Sequence, residues 1–291
     1  MYKKLLMIFT IAILLTMITA CGGSNEPEDY ISVDYISIEG EQISTALVEL
    51  DLSRTELQAE EAEQLRYMTN LESLNLFGSE FSYLDSISDL QNLVELNLGG
   101  NEPFLIGDLT PLAGLQNLRY LELRNVIVND LAPLGNLPNL IELNLSRVKV
   151  VDGQSYVMLN DITALSSLTS LTNLNLSVTQ IDDFSPVSSL TNLETLALRS
   201  SEIDDISFVS GLVQLRSLYL SNNNISDLSP LSGLTNLHRL RLNDNQISDL
   251  SPLEALENLN SITLIGNIVS DWAEITDWSP VAHVEYVRGR P

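Results

Sequence analysis

Positively charged residues are scarce in this chain. Its 291 residues include 14 lysines and arginines against 39 aspartates and glutamates, a formal net charge of -25 at pH 7. This excess of negative charge repels phosphate groups, so it argues against nucleic acid or an anionic lipid surface as the main partner. Apolar residues make up 44% of the chain, which is enough for a continuous hydrophobic core.

Cysteine and histidine are almost absent. Cys21 is the single cysteine, so no disulfide can form within the chain. The two histidines, His238 and His283, lie far apart in the sequence and predict no metal cluster. The sequence also lacks a G-x-S-x-G serine motif and a G-x-x-x-x-G-K phosphate loop. We therefore expect no enzymatic activity, no cofactor and no metal site.

Only one long apolar run is present, from Leu5 to Ile18. It follows the basic residues Lys3 and Lys4 and precedes small residues and Cys21, an arrangement typical of a secretory signal. The run is shorter than the roughly 20 residues that a membrane-spanning helix needs. A permanent transmembrane anchor is therefore the weaker interpretation.

The residues Ile18-Thr19-Ala20-Cys21 resemble the lipobox of bacterial lipoproteins, with isoleucine where leucine is usual. The resemblance implies that residues 1–20 are a signal peptide that is removed, and that residues 21–40 are the lipidated cysteine and a tether. The lipid on Cys21, a palmitate-type modification, would hold the protein at the outer face of the cytoplasmic membrane. Loss of the two leader lysines changes the net charge from -25 to -27 and leaves Lys149 as the remaining lysine.

An internal repeat occupies most of the rest of the chain. The string L-x-x-L-x-L, or a close variant, has its central residue at positions 74, 96, 121, 143, 174, 196, 218, 240 and 262. The L-x-L alternation predicts a short strand with one buried face. The D-L-S-P segment that follows predicts a short helical turn, with aspartate near the N-cap and proline in the first turn. Because one unit cannot bury its leucines alone, the units must stack.

Stacked units of this kind form a leucine-rich-repeat solenoid, an α/β fold. Its strands make a curved parallel sheet on the concave face, and short 3-10 or α turns line the convex face. We expect a first strand and an N-terminal helical cap over residues 41–70, repeats over 71–268 and a C-terminal cap over 269–291.

Two polar slots recur in the units. The turn after the strand holds asparagine in four units, where an amide can bond backbone groups of neighbouring coils: Asn101, Asn223, Asn245 and Asn267. Serine or threonine, which can substitute in part, occupies the slot at Ser79, Thr179 and Ser201. Val126 and Val148 occupy this slot in two earlier units, and each missing bond is worth about 0.5–1.5 kcal/mol. We therefore expect the C-terminal repeats to be more regular. The second slot holds aspartate, as at Asp183 and Asp205; calcium binding is one interpretation, but capping explains the pattern without a metal.

The unit I-S-D-L-S-P-L-x-x-L-T-N-L and the closing W-S-P-V-A-H-V resemble the repeats and chain ends of bacterial internalin-type surface proteins. The resemblance covers about residues 43–285. It implies the solenoid fold and the binding of protein partners on the concave face.

The outward positions of each strand, and the two positions after it, are free of packing constraints and should carry function. Tyrosine and arginine are the residues that most often anchor interfaces. We predict a protein-binding surface; a glycan is the alternative ligand, and the arginines would otherwise only keep the strands soluble. The predicted contact residues on this face are Tyr120, Arg124, Arg147, Arg199, Tyr219, Arg239 and Arg241.

Two insertions interrupt the 22-residue period, within Asn101–Leu109 and between Val148 and Ile162. Insertions in repeat proteins often mark binding loops, and these two carry apolar residues. We predict that Phe104 and Tyr156 belong to a lip over the concave face near Tyr120. The alternative is that their side chains fold back into the core.

Overall fold

The computed structural model describes residues 33–100, 102–269 and 283–285. The expected signal peptide and Cys21, the slot residue Asn101 and most of the expected C-terminal cap lie outside these residues. Within the described ranges, no helix combines the length and apolar character needed to cross a bilayer.

An 11-stranded parallel sheet runs along the solenoid, with strands in the order of the chain. The central residue of each strand pairs with that of the next, as Leu74 does with Leu96 and Leu218 with Leu240. The predicted strand positions and register are thus confirmed. The strands are β3 (Glu49–Asp51), β4 (Ser73–Asn75), β5 (Glu95–Asn97), β7 (Tyr120–Glu122), β9 (Glu142–Asn144), β12 (Asn173–Asn175), β13 (Thr195–Ala197), β14 (Ser217–Tyr219), β15 (Arg239–Arg241), β16 (Ser261–Thr263) and β17 (His283–Glu285).

Short 3-10 turns return the chain on the opposite face. The aspartate slot caps them as predicted: Asp183, for example, accepts a hydrogen bond from the Ser185 backbone N–H at 2.8 Å. The 3-10 turns are Gln64–Tyr67, Leu84–Ile87, Thr110–Gly114, Ala132–Asn136, Thr163–Ser167, Ser185–Ser189, Ser207–Val209, Ser229–Leu231 and Ser251–Leu253. Between the sheet and these turns, the repeat leucines form one continuous core, and most are completely buried.

A β-hairpin and a helix close the N-terminal end. Helix α1 (Ala59–Glu63) leads directly into the first 3-10 turn, in agreement with the predicted helical cap. The hairpin consists of β1 (Tyr35–Ile38) and β2 (Glu41–Ser44), and it buries Ile36 and Ile38. This hairpin was not predicted from the sequence, and residues 35–40 were expected to belong to the tether. Glu39 and Gly40 both have positive φ, as a tight two-residue hairpin turn requires.

A second sheet lies beside three neighbouring coils. It has the order β11-β10-β8-β6 and consists of β6 (Phe104–Gly107), β8 (Val126–Val128), β10 (Lys149–Asp152) and β11 (Ser155–Met158). Strands β6, β8 and β10 run parallel, whereas β10 and β11 form an antiparallel hairpin. Both insertions are therefore part of this outer sheet.

In the later coils, the asparagine slot bridges the backbones of two neighbouring coils. The amide of Asn223 donates to the carbonyl oxygens of Leu198 and Leu220 at 2.8 and 2.9 Å. Its oxygen accepts the backbone N–H groups of Ser201 and Ile203. Asn245 and Asn267 repeat this pattern one and two coils later and extend it to a ladder.

Candidate binding groove

The outward face of the concave sheet forms a groove of about 990 Å³ across strands β4 to β14. Alternation along each strand turns every second side chain into the groove, while the leucines between them are buried. Of the predicted contact residues, five line the groove: Tyr120, Arg124, Arg147, Arg199 and Tyr219. Arg239 and Arg241 lie on the next strand, β15, and are not among the lining residues.

Tyr219 links the groove to strand β15. The guanidinium carbon of Arg199 lies 4.7 Å from the centroid of the Tyr219 ring, within the range of a cation–π interaction. In the sheet, Tyr219 pairs with Arg241 on one side and with Ala197 on the other. Aromatic and guanidinium groups are therefore clustered at the C-terminal end of the groove.

A row of amide side chains on the groove floor was not anticipated from the sequence. Asn75, Asn97, Asn144 and Asn175 each accept a hydrogen bond from the backbone N–H two residues later. The signal was present in the sequence, because asparagine directly follows the central leucine in four strands, each with the string L-x-x-L-N-L. These amides fix the turn that leaves each strand, so they shape the groove edge.

Glu122 occupies the same floor position on β7. One carboxylate oxygen accepts the Arg124 backbone N–H at 2.8 Å, and the other accepts the Asn144 amide at 2.8 Å. Burial raises the pKa of the Glu122 carboxyl, while these two hydrogen bonds and the charge of Arg124 act in the opposite direction. Glu122 is thus an acid held in place on the floor of the groove.

Left-handed backbone conformations mark one edge of the groove. The residue four positions after the central leucine has positive φ in most coils, including Arg147, Val178 and Asn222, each with φ of 60°. Asparagine and glycine adopt this conformation readily, but a β-branched residue does so only with strain. Val178 lines the groove in this strained conformation.

The charged groups of the groove have no ion-pair partners among the described residues. The ion pairs found there are Arg66 with Glu63 and Arg216 with Glu194, and neither pair lies in the groove. Acidic side chains, Glu95 and Glu142 among them, line its strands, whereas Arg124, Arg147 and Arg199 follow the strands along one edge. The groove therefore presents both acidic and basic groups to a ligand, and Glu122 and Arg124 lie close enough to interact electrostatically.

The insertions do not form a lip over Tyr120, contrary to the expectation. Phe104 is half-buried against the core, and Ile106 and Leu159 are buried, because the outer sheet packs on the side of the coils. Tyr156 is 52% exposed on that sheet and does not line the concave groove. The alternative, that the side chains of the insertions fold back into the core, holds for Ile106 and Leu159 but not for Tyr156.

Clusters of side chains suited to metal binding are not found in the described part of the chain. No set of three or more histidine, cysteine, aspartate or glutamate side chains converges there. The repeated aspartates serve as caps, and hydrogen bonds from the Ser185 backbone and hydroxyl lower the pKa of Asp183. His238 places Nδ1 2.6 Å from the carbonyl oxygen of Asn236.

Comparison with known proteins supports the fold and the family. A family model described as leucine rich repeats (2 copies) matches residues 169–212, 213–255 and 235–277. Internalin C2 of Listeria monocytogenes is 34% identical, with a TM-score of 0.59 over 70% of this chain and 84% of that chain. No curated protein sequence gives a significant match.

Two more distant structures share the architecture. A leucine-rich-repeat protein of Leptospira interrogans is 25% identical, with a TM-score of 0.68 over 81% of this chain and 60% of that chain. The plant peptide hormone receptor RGFR1, solved in complex with RGF2, is 20% identical, with a TM-score of 0.58 over 78% of this chain and 37% of that chain. The last comparison shows the fold alone. Together with the register of the concave sheet, the identity to internalin C2 means that this chain belongs to the internalin-type leucine-rich-repeat proteins.

Proposed function

We propose that this protein is a lipid-anchored binding protein of the cell surface that holds a protein partner in the concave groove. The observation that carries the proposal is the set of tyrosine and arginine side chains in the groove, whose charges have no ion-pair partner among the described residues. Members of this family are binding proteins without enzymatic activity, and leucine-rich-repeat proteins commonly bind other proteins.

The chemistry of the groove suits a protein surface that carries both charges. Arg124, Arg147 and Arg199 would contact carboxylates of the partner, and guanidinium–carboxylate pairs combine charge with directional hydrogen bonds. Glu95 and Glu142 would contact basic residues. Tyr120 and Tyr219 supply apolar area that loses little conformational freedom on binding. Because the chain as a whole is strongly acidic, weakly matched anions would be repelled.

A site-specific crosslinking experiment tests the groove. The photoreactive residue p-benzoylphenylalanine replaces Tyr219 in the groove or, as a control, the exposed Val213, which lies in the turn before β14 and does not line the groove. We expect irradiation of intact cells to give a protein adduct from position 219 and none from position 213. Arg124→Glu together with Arg147→Glu should abolish the adduct. Equal adducts from both positions, or an adduct that the arginine substitutions leave unchanged, would exclude the groove as the binding site.

The anchor is tested separately. Cys21→Ala should prevent lipid attachment and leave unprocessed precursor, measured by metabolic labelling with a radioactive fatty acid. Label that persists in this variant would contradict the proposed anchor.

A further inference from the structure

A second groove, of about 720 Å³, lies between the β10–β11 hairpin and the turns of the next two coils. We call it the hairpin groove; Val157, Met158, Ile181, Asp152, Asp182 and Glu202 are among its lining residues. None of these residues lines the concave groove. We propose that the hairpin groove binds an extended, basic segment of a partner protein, which adds as a strand to the free edge of β11.

The edge of β11 is available for strand pairing. Strand β11 stands last in the outer sheet, and β10 is its one neighbouring strand among the described residues. Positive φ at Gly153 allows the two-residue turn between the strands. The Leu159 N–H donates to the Val148 carbonyl oxygen, so these two residues form a hydrogen-bonded pair of the hairpin. In an antiparallel hairpin, hydrogen-bonded and non-hydrogen-bonded pairs alternate, so Val150 and Val157 form the next hydrogen-bonded pair. The N–H and C=O groups of Tyr156 and Met158 therefore point toward the free edge.

The lining of the hairpin groove combines apolar side chains with this edge. Val157 and Met158 are half-buried and face the groove from the hairpin, while the buried Ile181 forms part of the opposite wall. Tyr156 and Val151 remain exposed on the hairpin. Exposed apolar residues beside an unpaired strand edge are unusual in proteins unless something covers them. An extended segment satisfies both features, because its backbone pairs with β11 and its alternate side chains contact the apolar lining.

Charge selects the kind of segment. The carboxylates of Asp152, Asp182 and Glu202 line the hairpin groove, and no lysine or arginine does. A second copy of this chain would bring the same three acids and a net charge of -25, so it would be repelled. The segment after Cys21, residues 22–32, contains Glu26, Glu28 and Asp29 and no basic residue, so it is equally unsuited. The complementary occupant is a partner strand that carries lysine or arginine.

A peptide selection tests this proposal. A phage library of random 12-residue peptides is selected on the full chain, purified in detergent micelles and immobilised. Peptides that bind a variant with Asp152→Asn, Asp182→Asn and Glu202→Gln are removed. We expect the remaining peptides to be enriched in lysine and arginine. Remaining peptides without this enrichment would overturn the proposal, and so would a selection that leaves no peptides.

Fluorescence anisotropy with a selected peptide then tests the strand edge. Tyr156→Pro removes one outward N–H at an edge position that tolerates proline, and it should weaken binding about tenfold. Tyr156→Thr keeps the N–H and should bind within about twofold of the unmodified chain. Equal affinities for the two variants would overturn strand addition.

Matched charge controls complete the design. A variant with Glu56→Gln, Glu254→Gln and Glu257→Gln removes three exposed acids elsewhere and should bind the peptide as the unmodified chain does. Binding weakened equally by both triple variants would mean a general charge effect and would overturn the assignment to the hairpin groove. Arg124→Glu with Arg147→Glu should leave peptide binding unchanged, so this test is independent of the concave groove.

Discussion

Two regions of the solenoid satisfy the buried backbone groups between neighbouring coils in different ways. The coils of β5, β7 and β9 are joined at their side by the parallel strands β6, β8 and β10, and the strand residues Val126, Ile127 and Val128 are buried. The coils of β13 to β16 have no such strands, and Asn223, Asn245 and Asn267 bridge them instead.

The difference explains why valine can replace asparagine in the slot. Backbone groups buried between coils need hydrogen-bond partners. Where an outer sheet supplies them from backbone to backbone, the slot residue is free to be apolar, as Val126 and Val148 are. In the coils of β13 to β16, the side-chain amides of Asn223, Asn245 and Asn267 supply both donor and acceptor. At other slot positions outside the outer sheet, the hydroxyl groups of Ser79, Thr179 and Ser201 donate to backbone carbonyl oxygens. The loss of a repeat motif is therefore compensated within the same coils.

The asparagine ladder gives the largest expected effect. Asn223→Ala should lower the free energy of unfolding by about 2–4 kcal/mol, because buried carbonyl and N–H groups of two coils lose their partners. Urea denaturation followed by circular dichroism measures the change. Asn224→Ala is the matched control, since this neighbouring asparagine is exposed and donates one bond, to the Glu202 carbonyl oxygen. Similar losses for both variants would contradict the role given to the ladder.

The turn of the outer hairpin should give an intermediate effect. Gly153 has φ of +61° and open space around an added Cβ, so Gly153→Val should cost about 1–2 kcal/mol through backbone strain alone. Gly211 also has open space but no positive φ, and Gly211→Val should change stability by less than about 0.5 kcal/mol. The two melting curves should separate. Coincident curves would mean that the hairpin turn contributes nothing to the stability of this region.

Val178 follows β12, the first concave strand beyond the outer sheet. Its substitution should give the smallest change in the free energy of unfolding, and this change should be a gain. Val178→Asn should stabilise the chain by about 0.5–1 kcal/mol, because asparagine tolerates the left-handed conformation that Asn222 adopts at the equivalent position. The exposed Val213 has no positive φ, so Val213→Asn should give no gain. Chemical denaturation of both variants measures the difference. A loss of stability in Val178→Asn would show that the side chain contributes more through packing than the backbone loses through strain.

The sequence predicted the periodic part of this fold and little of the rest. The leucine positions determined strand register, and the aspartate and asparagine slots predicted caps and ladder, because each depends on contacts that repeat every coil. The outer sheet was missed because β6 and β8 are short and come together only when the coils stack. Gly40 could have indicated the two-residue hairpin turn at Glu39-Gly40, but these residues were assigned to the tether.

The groove was predicted in position but not in its internal arrangement. Tyr120, Arg124 and Tyr219 could be placed on the concave face from alternation alone. The strain at Val178 and the hydrogen bonds of Glu122 depend on backbone angles and on neighbouring coils, which no single unit encodes.

The left-handed residue at the groove edge has a consequence for how binding specificity evolves. Arg147 occupies that strained position, whereas Arg124 and Arg199 come one residue earlier in their coils and have no positive φ. Substitutions at the positions of Arg124 and Arg199 impose no left-handed backbone strain, so new specificities should arise there first. A side chain other than glycine, asparagine or aspartate at the later position persists only if selection for binding outweighs roughly 1 kcal/mol of lost stability.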